Sequence, residues 1–378
     1  MKKLSVFLIS LFFLLSPVYA FDFDVSGKYV ILYNLDDNKV LYSKNADKIT
    51  KIASLTKIMT ALVTIENVKS LDEEVTILKE DFTSLDGYSK AGFNINDKVT
   101  YLDLIYGILL PSGADAVNAA VNNTLGYDKF VEKMNQLASE IGMNDTFFSN
   151  PIGKDEENNY STASDIAKLL KYALNNEIFK EVFTTRVYET KSGLLLKSTL
   201  SSYDNILNTN LIYGAKSGFT KEAGRCLASI SNIDGANLLL VVINADIDKA
   251  YNAIKDTVNI YSYYKDNYSY QTIIDDNTFI KKVPIFLSNE KYYKVTGSER
   301  VRKYLQNDAN IYYEYDGVDK ISYRTKKGTK IGDVKIYNDD TLLLKSSVYL
   351  EEDLFYYPVD LVIGALVLCI VIVKIKRR

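Results

Sequence analysis

The sequence predicts an α/β (α+β) domain that combines a sheet with a helical cluster, followed by a small all-β domain and a C-terminal membrane helix. Three observations carry that expectation. Short apolar runs of strand length, Val30 to Leu35, Leu227 to Ile230 and Leu238 to Ile243, bracket longer runs with helical spacing. From about Gln271 the pattern changes to short alternating segments separated by polar turns. Near the end, an apolar stretch from about Phe355 to Val373 is followed at once by Lys374, Lys376, Arg377 and Arg378.

Taken in order, residues 1–20 read as a secretory signal: Lys2 and Lys3, an apolar run from Leu4 to Leu15, and Val18-Tyr19-Ala20 as a cleavage site. The first domain is expected over 21–268. Val30 to Leu35 and Val40 to Tyr42 flank the polar turn Asp36-Asp37-Asn38-Lys39, which predicts a hairpin. Ile52 to Val68 is apolar almost all round, as a central buried helix would be. Leu102 to Leu110 is a second helical run, stopped by Pro111, and Asp115 to Asn123 begins another, so Ser112 falls in a turn between helices. Phe130 to Ile141 and Ser164 to Leu174 continue the helical pattern, and Lys216-Ser217-Gly218 opens the strand-rich stretch.

The small domain is expected as a β-sandwich over 269–352, with strands at Thr278 to Leu287, Ile311 to Tyr315, Lys330 to Tyr337 and Thr341 to Leu350. Residues 355–373 are close to the minimum length for a membrane span, and the basic tail 374–378 assigns that end to the cytoplasmic side. The body of the chain is then expected on the extracytoplasmic side of a cell membrane, crossed once. Asp360 allows an interfacial helix as the alternative, but Leu361 to Val373 is apolar on every face, which favours a span.

Composition narrows the function. Six of the 45 Lys and Arg lie in the two end segments and only Asp360 of the 48 Asp and Glu does, leaving 39 basic against 47 acidic residues, a balance of −8. An acidic body disfavours nucleic acid as a ligand. With no histidine and with Cys226 as the one cysteine outside the terminal segment, a metal site is not expected, and no cofactor is implied. Cys226 and Cys369 belong to different compartments on this reading, so no internal disulfide is expected. Thirty tyrosines without a tryptophan are read as compositional bias rather than as a carbohydrate platform.

The absence of histidine also sharpens the catalytic question. A serine nucleophile needs a group to take its proton, and without imidazole a nearby lysine is the good candidate. Ser54-Leu55-Thr56-Lys57 supplies one at helical spacing, which places Lys57 beside the Ser54 hydroxyl, able to accept its proton if its own pKa is depressed. The spacing alone carries no weight, since it recurs at Ser262-Tyr263-Tyr264-Lys265 and Ser288-Asn289-Glu290-Lys291, and Lys-Ser-Gly recurs at Lys191-Ser192-Gly193. Context separates them. Ser54 opens an apolar helix, whereas the other two sit in polar surroundings that would keep the ammonium hydrated. Lys216-Ser217-Gly218-Phe219-Thr220 precedes a sheet-like run, so a substrate could lie along its edge with a cation near its carboxylate. Gly218 there would permit close backbone approach.

Ala53-Ser54-Leu55-Thr56-Lys57-Ile58-Met59-Thr60-Ala61, Leu110-Pro111-Ser112-Gly113-Ala114-Asp115-Ala116 and Lys216-Ser217-Gly218-Phe219-Thr220 resemble the three active-site motifs of the serine-type D-alanyl-D-alanine carboxypeptidases, the low-molecular-mass penicillin-binding proteins. Asn150-Pro151-Ile152-Gly153 and Tyr160-Ser161-Thr162-Ala163 are also similar to that family, and the likeness runs from about Tyr29 to Ile243 and more weakly into the β-domain. The resemblance implies a β-lactamase/transpeptidase-like fold and removal of the terminal D-Ala from peptidoglycan stem peptides through an acyl-enzyme, with β-lactam antibiotics as inhibitors. By position, Ser54 would be the nucleophile, Lys57 its general base, and Ser112 the relay to the leaving group. Lys216 would help bind the terminal carboxylate, with Ser217 and Thr220 assisting. The N–H groups of Ser54 and Phe219 would form the oxyanion hole, typically about 3 kcal/mol per donor.

Two positions depart from the pattern. The usual Lys-Thr-Gly carries Ser217, which keeps the hydroxyl, and the usual Ser-x-Asn carries Ala114, which removes an amide. Water or a neighbouring amide such as Asn118 is left to take its place. Two alternatives stand beside the carboxypeptidase. A serine β-lactamase shares the motifs but needs a device for rapid deacylation, and no clear Glu-containing loop is present. A penicillin-binding scaffold with weak catalysis is favoured by Ala114 alone.

Overall fold

Strand Ala236–Ala245 shows why the sheet lies at the centre of the catalytic unit: Leu239, Val241 and Ile243 join one core while Leu238, Leu240 and Val242, equally buried, point to the opposite face. A strand covered on both faces loses the apolar and polar alternation of a half-exposed strand and becomes a continuous apolar run. The computed structural model describes residues 23–286, 288, 290–354 and 357–376. The expected signal segment, 1–20, and the last two residues of the basic tail lie outside the described residues. The described chain divides near Asn267 into two units.

In the first unit, β1 (Tyr29–Asn34) and β2 (Lys39–Lys44) form the expected hairpin. Short pairs follow: β3 (Glu74–Thr76) with β4 (Lys98–Thr100), and β5 (Val187–Glu189) with β6 (Leu195–Lys197). The main sheet is completed by β7 (Gly214–Thr220), β8 (Gly224–Ile233) and β9 (Ala236–Ala245), in the order β2-β1-β9-β8-β7 with every pair antiparallel. Asp234 and Gly235, at φ 50° and 88°, close the β8–β9 hairpin; positive φ at both turn positions matches the strands' right-handed twist. This order makes β7 the sheet edge nearest the motif residues.

The helical cluster comprises α1 (Thr56–Asn67), α2 (Tyr101–Leu109), α3 (Ala114–Asn123), α4 (Tyr127–Glu140), α5 (Ala163–Ala173) and α6 (Glu177–Thr184). α2, α3, α4 and α5 lie within one to three residues of their expected bounds, and capping side chains fix the starts of α2 and α5. Thr100 accepts from the Asp103 amide while Asp103 accepts from Thr100 N, and Thr162 accepts from Asp165 N. The helix expected from Ile52 instead begins at Thr56, after a 3-10 turn over Ala53–Leu55 that carries Ser54.

Residues 56–64 of α1 are all buried. Its threonines survive there by donating to backbone oxygens: Thr56 to Ala53, Thr60 to Pro151 and Thr64 to Thr60. Two helices are not apparent from the sequence pattern: α6, and α7 (Asn252–Asn267) on the far face of the sheet against β8 and β9. The Ser262-to-Lys265 stretch thus lies on a packed helix rather than in an open polar segment, although Lys265 itself is exposed.

The second unit begins at Tyr268 and carries its own core of Ile273, Val283, Val295, Ile321, Val334 and Ile336. Its strands are β10 (Tyr268–Ile274), β11 (Phe279–Phe286), β12 (Tyr292–Thr296), β13 (Val301–Gln306), β14 (Ile311–Gly317), β15 (Ile321–Ser322), β16 (Lys330–Asn338) and β17 (Thr341–Tyr349). They pair as β10-β13, β12-β11-β15 and β14-β16-β17. A C-terminal helix, α8 (Tyr357–Lys376), follows. Among the described residues no helix is long and apolar enough to cross a membrane.

Candidate active site

Lys57 Nζ lies 3.0 Å from Ser54 Oγ and donates to the carbonyl oxygen of Ile152 at 2.8 Å. The 3-10 turn presents Ser54 at the N-terminal end of α1, and the first turn of α1 lays Lys57 back over it. Only 1% of Lys57 is exposed, so its charged form has lost its water. Burial lowers its pKa to about 7, against the opposing pull of the Asp115 carboxylate. With one N–H held by Ile152, the lone pair of the neutral amine can face the serine hydroxyl.

The Ile152 loop is a part of the site that residue-type reasoning missed, because the group that fixes Lys57 is a backbone carbonyl. Asn150 shapes the loop by accepting from the amides of Gly153 and Lys154. Gly153 adopts φ 89°, and a Cβ there would stand 2.1 Å from Ala53 O. Only glycine allows the loop to seat against the nucleophile turn. The local signal is the Asn-Pro pair, which marks a turn without revealing its target.

Ser112 follows Pro111 in the turn between α2 and α3, at φ 65°, and Ala53 precedes the nucleophile at φ 48°. Non-glycine residues in this region carry strain of roughly 1–3 kcal/mol each and persist only when their surroundings hold them. At Ser112 the hold is visible: Gly113 N donates to Gly107 O at 2.8 Å, and a Cβ on Gly113 would meet Ala91 at 2.7 Å. Asp115 secures the neighbouring segment by accepting from the amides of Ala91 and Gly92.

A cleft of about 310 Å³ gathers Ser54, Ser112, Ser217, Gly218 and Phe219 from the three motifs, together with Tyr88, Thr199 and Arg225. Among the described residues lining it there is no Asp or Glu. Gly218 brings β7 against the nucleophile: a Cβ there would lie 3.0 Å from Ser54 N. Ser217 Oγ is 2.8 Å from Thr199 Oγ1.

Three expected residues are placed differently. Lys216 is fully buried, donates to Ser217 O at 2.8 Å and is absent from the cleft wall. Burial, reinforced by the neighbouring Lys57 ammonium, holds its pKa well below the lysine range. Thr220 Oγ1 is engaged, donating to Asp155 at 2.8 Å and accepting from Ala223 N. Asn118 does not replace the amide missing at Ala114, because its Nδ2 donates to Asp81 O at 2.9 Å, away from the cleft. Cys226 is buried and free, its thiol pushed up to about 12 by desolvation, which makes it inert rather than nucleophilic. Among the described residues no cluster could hold a metal ion.

A family model described as D-alanyl-D-alanine carboxypeptidase matches residues 17–247. The D-alanyl-D-alanine carboxypeptidase DacF of Bacillus subtilis is 29% identical over 344 residues, 87% of this chain and 86% of that protein. Among solved structures, penicillin-binding protein 5 from Haemophilus influenzae shares the fold with a TM-score of 0.65 at 20% identity, covering 88% of this chain and 98% of that one. The Streptomyces K15 DD-transpeptidase superposes with a TM-score of 0.56 at 30% identity, covering 63% and 97%.

Proposed function

Because the chain belongs to the D-alanyl-D-alanine carboxypeptidase family, we infer that it is a serine-type peptidase that removes the terminal D-Ala from peptidoglycan stem peptides and is acylated by penicillins. The observation that carries this reading is the 3.0 Å pairing of Ser54 Oγ with a fully buried Lys57. Neutral Lys57 takes the hydroxyl proton as Ser54 attacks the carbonyl of the penultimate D-Ala. The resulting oxyanion is held by the N–H groups of Ser54 and Phe219. Ser112 passes a proton to the departing amine, free D-Ala leaves, and water then cleaves the Ser54 ester. The substrate lies extended along β7, the open edge of the sheet, where backbone pairing gives orientation without side-chain selectivity.

The catalytic unit works on the extracytoplasmic side of the membrane, where its polymer substrate lies, and α8 holds it there as a single span. Supporting this are the outward-facing Leu366, Val367, Leu368 and Ile370, each more than half exposed, which leave no polar face on the helix. Such a helix finds a matching solvent only in lipid. Lys374 and Lys376 at its end support a cytoplasmic tail.

The direct test is release of free D-Ala from a peptide ending in Lys-D-Ala-D-Ala, together with labelling by a fluorescent penicillin. The native chain is expected to do both and Ser54→Ala neither. Label retained on Ser54→Ala would overturn the assignment.

A further inference from the structure

Arg225 is the one charged residue among those lining the cleft. It lies on β8 directly across from Phe219 of β7, and its guanidinium sits 3.7 Å from the centre of the Phe219 ring. That stacking fixes the guanidinium plane without consuming its N–H donors. Its Nε is buried and has no hydrogen-bond partner, and among the described residues no carboxylate pairs with it. A buried donor left unmet is a cost that a ligand oxygen could remove. Two hydroxyls, Ser217 Oγ and Thr199 Oγ1, line the same cleft 2.8 Å apart. Guanidinium and hydroxyls together are the donor set that a carboxylate takes, and arginine's fork fits its two oxygens.

The geometry points to Arg225 as the residue that reads the free C-terminal carboxylate of the peptide, assisted by Ser217 and Thr199. This assignment rests on the reading of the site as a D-alanyl-D-alanine carboxypeptidase. It gives Lys216 a different part, that of a buried member of the strand beside the nucleophile rather than the substrate's counter-ion.

The test compares diacetyl-Lys-D-Ala-D-Ala with the same peptide amidated at its C-terminus, using the full chain and the variants Arg225→Gln and Arg225→Lys. The native chain should prefer the free acid by roughly 10- to 150-fold in kcat/KM, the range of a lost charge-assisted hydrogen bond. Arg225→Gln should bring that preference to about unity, with the amide cleaved within about threefold of the native rate, and Arg225→Lys should retain part of it. An unchanged acid-to-amide ratio in Arg225→Gln, or an equal loss on both peptides, overturns the assignment while leaving the carboxypeptidase reading intact. Failure of the native chain to release D-Ala from the free acid or D-alaninamide from the amide sinks both. The melting temperature of each variant, with Arg225→Lys as the gentler replacement, separates lost recognition from lost folding.

Discussion

Ser54 with Lys57 and Ser262 with Lys265 share one spacing on two regions of the same unit, and only the first pair has its lysine buried. Lys57 is buried beneath the nucleophile turn with its pKa lowered to about 7, whereas Lys265 points into solvent from α7. The two Lys-Ser-Gly triplets repeat the contrast. Lys216 is buried in β7 near Lys57, while Lys191 sits exposed in the β5–β6 turn, 3.8 Å from a still more exposed Asp72. Spacing brings two groups within reach, but desolvation converts a lysine into a base.

The largest effect should come from breaking the first pair. Lys57→Met, which keeps the buried volume, should slow penicillin acylation about 10²–10⁴-fold, the usual worth of a general base, while Lys265→Met stays within about twofold. Stopped-flow acylation rates check both; equal losses would dissolve the contrast. Next, Lys216→Met leaves Ser217 O without this donor, a cost of roughly 1–3 kcal/mol that should appear as a 5- to 150-fold slower acylation. Lys191→Met should leave the rate unchanged. The smallest effect separates the two glycines. A methyl at Gly218 would press on Ser54 N from 3.0 Å and shift the strand by a few tenths of an ångström, costing about tenfold in rate with little change in melting. Gly193→Ala meets only Glu189 at 4.0 Å but strains a φ of 84°, so it should lower the melting temperature by a few degrees and spare the rate.

Much of this was legible in the residues. Serine and lysine at helical spacing ahead of an apolar run located the Ser54–Lys57 pair, and the proline after Leu110 located the turn that holds Ser112. Strands β8 and β9 announced themselves as continuous apolar runs because both faces are covered. α7 stayed hidden because its buried side includes Asn252, Asp256 and Thr257, which interrupt the apolar period. Asp256 is tolerated there because it accepts from Ser26 and Gly27, partners about 230 positions away that no local window contains. The Ile152 carbonyl, 95 positions from Lys57, lies equally far outside any local window. Distance along the chain also hid the burial of Lys216, whose residue type suggested an exposed cation. Arg225 carried no motif, and only the β7–β8 register set it across from Phe219.

The central claim is that an uncharged Lys57 amine deprotonates Ser54. A lysine whose folded pKa is depressed is protonated and idle below that value and active above it, so the rate must rise with pH through the folded pKa. The rate constant for penicillin acylation of the native chain across the pH scale should rise about tenfold per unit in acid, bend at a midpoint near the value of about 7 set by burial, and then level off. In Lys57→Met the bend should vanish. A rate still climbing toward the ordinary lysine range, or the same midpoint persisting after Lys57 is removed, would contradict the account.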